Sequence, residues 1–197
     1  MTKNKNKLTK RKILITARRY FFTIGYSKVT MDEMALELHI SKKTIYQLFK
    51  SKQFLLESVI YDFFQELHEK IKQIIENHCN NQSNVLKQFM SSVQSQISQW
   101  NMKAFEEISK NNPRAWSIIT HLREKMIHNE LRDLLQEGKK EGTIRKNIDL
   151  DIIVLIILNT VQSIAIPEIT SQFPYSTEEV IEMIAKIIMH GIIEPEI

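Results

Sequence analysis

Apolar residues in the first fifty positions recur at helical spacing in short blocks, and each block after the first is preceded by a capping residue. Leu8, Ile15, Ala17, Phe21, Phe22 and Ile24 form a stripe that predicts a helix over 8–24, stopped by Gly25. The run Thr30-Met31-Asp32-Glu33 has the capping-box order, in which Thr30 caps a helix and Glu33 reaches back to it. That helix presents Met31, Met34, Ala35 and Leu38 as its apolar face. Ser41 is the next cap, opening a helix with Ile45, Leu48 and Phe49 inward. Ser51 caps a longer one carrying Phe54, Leu55, Val59, Phe63, Leu67, Ile71, Ile74 and Ile75.

Beyond the polar stretch 77–84, the pattern predicts helices near 84–100, 102–110 and 113–137, with Pro113 in a first helical turn. Residues 137–149, with two glycines and a cluster of charges, read as a loop. Two more helices follow at about 150–166 and 176–191, separated by Pro167 and Pro174. Four glycines and four prolines fall as punctuation between long unbroken segments, and neither a repeat nor a convincing strand emerges. The expected class is all-α.

Charge divides the chain unequally. Residues 1–52 hold thirteen Lys and Arg against three acids, a net +10, while the remainder nets −6. Such asymmetry points to an N-terminal region that meets a polyanion. A disordered basic tail accounts for Lys3 to Lys7, but not for bases embedded among periodic apolar residues. A single cysteine, Cys79, excludes an intramolecular disulfide and fits a reducing, cytoplasmic setting. Arg18 and Arg19 interrupt any signal-peptide core. The most apolar segment, 152–166, is shorter than the roughly 20 residues of a membrane span and contains Asn159, Thr160, Gln162 and Ser163. No membrane partner is expected.

Residues 30–49 fit a helix-turn-helix. Ala35 is small where a bulky side chain would hold the second helix away, Ile40 sits in the turn, and Ile45 and Leu48 face inward. Lys42, Lys43, Thr44, Tyr46 and Gln47 are left on or near the outer, N-terminal part, the part that enters a major groove. Lysine neutralises phosphate and donates to guanine, Gln47 suits adenine, and Thr44 suits phosphate or a thymine methyl.

The run HISKKTIYQLFKSKQFLLESVI (39–60), preceded by TMDEMALEL, resembles the DNA-binding region of TetR-family transcriptional regulators. Match points are Thr30, Ala35, Ser41, Thr44, Tyr46, Phe49 and Lys52. The close resemblance covers about 50 residues; the stretch 142–149 also resembles the loop leading to the family's dimerisation helices. Two positions depart from the family pattern: His39 stands where a turn glycine is frequent, and Lys43 where glycine is common. Histidine is among the side chains that tolerate positive φ.

The resemblance implies an all-helical homodimer, with a three-helix DNA-binding domain over 1–52 and a ligand-binding and dimerisation domain over 53–197. Thr30, Ser41, Lys42, Lys43, Thr44, Tyr46, Gln47 and Lys52 are the expected DNA-binding residues, with Tyr46 and Lys52 chiefly at phosphates. The partners are then a double-stranded DNA operator and a small, apolar effector. Phe63, Phe89, Met90, Val93, Trp100, Met102, Phe105, Trp116, Ile119 and Met126 are candidates to line the effector site, although such residues also serve as ordinary core. Ile152, Leu155, Ile156, Asn159, Ile181, Ile184 and Ile188 are candidates for the dimer interface.

Other chemistries find less support. His121, Glu124 and His128 share a helical face, but seven residues span about 10 Å, too far for two direct ligands of one ion. No Glu-x-x-His, HExxH, P-loop, GxGxxG or GxSxG pattern occurs, so neither an enzyme nor a cofactor is expected. The rival reading is a helical adaptor whose basic N-terminus meets an acidic protein or membrane surface.

Overall fold

The computed structural model describes residues 2–77, 88–89, 91–92, 95, 101–164, 174–175 and 177–192. The described elements are helices: α1 (Thr2–Thr23), α2 (Met31–Glu37), α3 (Lys42–Leu48), α4 (Lys52–Asn77), α5 (Met102–Asn111), α6 (Pro113–Met126), a π-helical turn (Ile127–Leu131), α7 (Arg132–Lys140), α8 (Leu150–Ile164) and α9 (Thr177–Ile192). No strand occurs among the described residues. Residues 88, 89, 91, 92 and 95 are helical, within the segment expected to be helical over 84–100. Cys79, Met90, Val93 and Trp100 lie outside the described residues, as do the side chains of Met102 and Ile181.

Two compact units are formed, one from Met1–Gln65 with Gln99–Thr120, the other from Glu66–Ser98 with His121–Ile197. In the first, Ile13, Ala17, Phe21 and Phe22 of α1 are buried with Met34 of α2 and Ile45 and Phe49 at α3. A fully buried isoleucine or phenylalanine contributes about 1.5–3 kcal/mol of transfer free energy. This core therefore welds α2 and α3, seven residues each and marginal alone, to the longer α1.

The apolar stripe of α1 needs correction. Leu8, Ile15 and Ile24 are exposed, and Ile13, Leu14 and Thr16 are buried in their place. Apolar side chains occur on two faces of α1, and the face carrying Ile13, Ala17 and Phe21 is the buried one. Phe54 is likewise exposed, while Leu55, Leu56, Val59 and Ile60 are buried.

In the second unit Leu131, Leu134 and Leu135 are buried with Val154 and Ile157 of α8, and Met189 and Ile192 of α9. Residues 137–140, expected in a loop, are helical: α7 runs to Lys140 and buries Gly138. The Gly138 carbonyl accepts from Ile144 N–H at 3.1 Å. The region 113–137, expected as one helix, is interrupted by the π-turn at Ile127–Leu131. Asp149 caps α8, accepting from Asp151 and Ile152 N–H at 2.9 and 3.2 Å. Arg132 pairs with Asp151 at 2.8 Å, and His68 with Glu130 at 2.9 Å.

Candidate nucleic-acid interface

The interface begins with two local signals. Thr30 Oγ1 accepts from Glu33 N–H at 3.2 Å, and Thr30 N–H donates to the Glu33 carboxylate at 2.7 Å, closing the capping box. The bond from Thr30 N–H foremost, and a second from the Thr30 hydroxyl at 2.8 Å, hold the Glu33 carboxyl below its usual range. The chain then leaves α2 through His39, whose φ is 51°, so histidine takes the left-handed position that glycine often fills. Ile40 N–H returns to the Ala35 carbonyl at 3.0 Å, which tightens the turn around a buried Ala35.

Ser41 caps α3, accepting from Thr44 N–H at 3.1 Å, and its hydroxyl also meets the Thr44 hydroxyl at 2.8 Å. Ile45 and Phe49 are fully buried, so the outward face is decided: Lys42, Lys43, Tyr46 and Gln47 are exposed, and Thr44 is half-buried. Tyr46 keeps 41% of its surface open. The ammonium of Lys10 lies 5.7 Å from the centre of the Phe49 ring, a cation–π contact that brings α1 beside the end of α3.

Not every base is equally free. Lys42 donates to Asp32 at 2.7 Å, and that bond raises its pKa. Lys52 lies 4.4 Å over the Tyr26 ring and reaches the Ser27 carbonyl at 3.5 Å; its partial burial pulls its pKa down. Among the described residues Lys28, Lys43 and Lys50 have no acidic partner. Glu37 of α2 grips both Arg19 and Tyr20 of α1, and those bonds lower the pKa of its carboxyl, tying the supporting helix to the motif.

Spacing had placed Lys42, Lys43, Thr44, Tyr46 and Gln47 on one helix, and they share α3 with their backbone framed by Ser41. Thr30 stands at the head of α2 and Lys52 at the head of α4. The sequence reading missed Asp32, Lys10 and Glu107, whose partners lie 10, 39 and 80 positions away. No local pattern reports such pairs.

The candidate effector residues are distributed differently. In the first unit Phe63 is buried edge-on against Phe22 and Phe64, at 5.6 and 5.4 Å. Phe105 and Trp116 form another edge contact at 5.2 Å, and Ile119 is buried. In the second unit Phe89 and Met126 are buried. One surface depression is lined by Lys10, Leu14, Phe54, Glu57, Ser58, Tyr61, Asp62 and Gln65, another by Lys70, Ile74, Gln88, Ser91, Ser92 and Ser95. Neither gathers the expected aromatic set.

Of the candidate dimer residues, Ile152, Leu155, Ile156 and Asn159 are exposed on α8, while Ile184 and Ile188 on α9 are half-buried. His121, Glu124 and His128 are all exposed, and no metal-binding group occurs among the described residues. No described helix is long and apolar enough to cross a membrane.

A capped, core-anchored helix with a basic and hydrogen-bonding outer face defines a helix-turn-helix DNA-binding regulator. Residues 13–59 match the family model described as bacterial regulatory proteins, tetR family. By that match residues 13–59 are a TetR-type DNA-binding segment, and the chain is similar to TetR-family transcriptional regulators.

Over 187 residues it is 29% identical to the uncharacterized HTH-type transcriptional regulator YvaF of Bacillus subtilis, covering 94% of this chain and 96% of that one. It is 24% identical over 192 residues to the HTH-type transcriptional repressor KstR2 of Mycolicibacterium smegmatis, covering 93% and 90%. Its fold is similar to that of the regulator FadR from Bacillus subtilis in complex with stearoyl-CoA. There the TM-score is 0.65 at 18% identity, over 92% of this chain and 98% of that one.

Proposed function

We propose that this regulator is a ligand-responsive repressor, which binds a near-palindromic operator as a homodimer and is released by a small, apolar effector. The observation that carries the operator reading is the arrangement of α3. Ser41 fixes where the helix starts, Ile45 and Phe49 fix which face is inward, and Lys43, Tyr46 and Gln47 are thereby turned outward. Residues 1–52 form the DNA-binding domain in this reading, and 53–197 the ligand-binding and dimerisation domain.

The homodimer is supported by the apolar, exposed side chains of Ile152, Leu155 and Ile156 along one face of α8. Two such heads present α3 about one DNA turn apart, so the operator mirrors the protein's two-fold symmetry. The effector reading rests on relatives, one named as a repressor and another solved with stearoyl-CoA. An effector acts by favouring a conformation in which the head spacing no longer fits, to the extent of its differential affinity for the two states. Work on the chromosome places the protein in the cytoplasm.

The test is binding to a selected operator duplex against salt. Specific, steeply salt-dependent binding that Tyr46→Ala weakens supports the reading. Equal affinity for every duplex, indifferent to Tyr46→Ala, removes it and favours an adaptor with a basic surface.

A further inference from the structure

The first compact unit contains α5, which lies about fifty residues beyond the helix-turn-helix in sequence. Its contacts with the motif are specific. Asn101 N–H, just ahead of α5, donates to the Phe22 carbonyl at 2.8 Å. Nearly two turns further, Glu107 accepts from Ser27 N–H at 2.6 Å, in the connection between α1 and α2. The same Ser27 offers its carbonyl to the ammonium of Lys52 at 3.5 Å. One peptide segment thus joins an acid on α5 to a base at the head of α4.

The backbone beside it is shaped to admit that acid. Gly25 has φ +108°, and a β-carbon there would stand 2.5 Å from the other Glu107 oxygen. Any side chain at Gly25 would be strained and would also displace a carboxylate already held by Ser27. Tyr26, between Gly25 and Ser27, lies beneath Lys52 with 4.4 Å from ring centre to ammonium. Its hydroxyl donates to Gln53 at 3.3 Å, and Gln53 accepts from Asn112, at the end of α5, at 2.7 Å.

We propose that Glu107 is a positioning residue for operator binding: through Ser27 it holds the turn from α1 to α2 and so fixes where Lys52 meets the DNA backbone. This deepens the operator reading and rests on it. Glu107 touches no DNA in this scheme; it acts through Ser27 and Lys52. Its sign is distinctive, because removing a negative charge from a DNA-binding head should on charge alone tighten binding. Loss of positioning weakens it.

The experiment uses the full chain and the duplex that the wild-type protein selects from a random pool, with affinity followed by fluorescence anisotropy at several salt concentrations. Glu107→Ala is expected to weaken specific binding on the order of tenfold, the scale of a hydrogen bond to a charged group. It should also make the salt slope shallower by about one counterion. Glu107→Gln keeps an oxygen for Ser27 N–H and is expected to stay within about threefold of wild type. Lys52→Ala with Glu107→Ala should be no weaker than Lys52→Ala alone, since the two share one function.

Affinity unchanged or increased in Glu107→Ala, or additive losses in the double variant, would overturn the inference. Should thermal melting show that Glu107→Ala does not fold, Glu107→Met, of similar length but lacking both oxygens, carries the same expectations. A wild-type protein that selects no duplex at all refutes the operator reading instead, so the two failures are distinguishable.

Discussion

The Lys42 ammonium stands 2.7 Å from the Asp32 carboxylate, so one base at the head of α3 is already paired with an acid from α2. Both groups are exposed, and such a pair is worth little to folding. On the proposed operator binding its consequence is for affinity, since Lys42 would exchange a carboxylate for a phosphate and Asp32 would face the incoming polyanion.

Asp32→Asn is therefore expected to raise affinity for any duplex by about threefold at low salt, with the gain shrinking as salt rises. Asp32 is no base contact in the proposed operator binding, so specific and non-specific affinity should rise together. Anisotropy titrations of both duplexes check this, and a loss of affinity would mean that the pair orients Lys42 rather than restraining it.

Ile45 and Phe49 hold α3 in place from beneath, each with no exposed surface. Ile45→Ala should cost about 2–5 kcal/mol and Phe49→Ala about 3–5 kcal/mol, because neighbouring side chains only partly refill the void. Urea unfolding followed by circular dichroism measures both. Near-zero costs would show that α3 is not packed as described.

Thr30→Ala removes one half of the capping box and should cost about 1 kcal/mol. Glu33 supplies the other half, and its depressed pKa sets the sign of the pH effect. Its contribution is present above the ordinary value of 4.5 and is lost as pH falls through the lower folded-state value. The Glu33→Gln protein, with no carboxylate to titrate, should accordingly show a shallower loss of stability on the acid side than wild type, readable as melting temperature against pH. Parallel profiles for the two proteins would contradict the capping account.

These local devices are the part of the site that sequence makes legible. A cap and its partner lie three residues apart, so Thr30 with Glu33, Ser41 with Thr44 and Ser51 with Phe54 are visible as spacing. His39 could be placed in the turn for the same reason. Burial is less legible where a helix carries apolar groups on two sides. Ile15 and Ile24 looked as suitable as Ile13 and Leu14, and only the neighbours packed against α1 choose between them. Gly138 shows a related failure, since a glycine that ends many helices is here buried inside one. Glu107 leaves no trace at all, because its meaning comes from Ser27, 80 residues earlier.

On α8, Leu155 and Ile156 are about half exposed, at 54% and 45%. If this face meets a second copy, Leu155→Glu places a charge in an apolar contact and should convert dimer to monomer. Sedimentation velocity across a concentration series reads the change. A wild-type monomer, or a variant that still dimerises, would contradict the α8 interface.

Operator recognition through α3 is open to direct test by selecting bound duplexes from a random pool with the wild-type protein. Dimeric operator binding predicts recovery of a near-palindrome with half-sites about one helical turn apart. It also predicts that Tyr46→Ala and Lys43→Ala each weaken binding to the recovered duplex. A pool that emerges without any shared sequence, bound equally well by the wild-type and both variants, would contradict it.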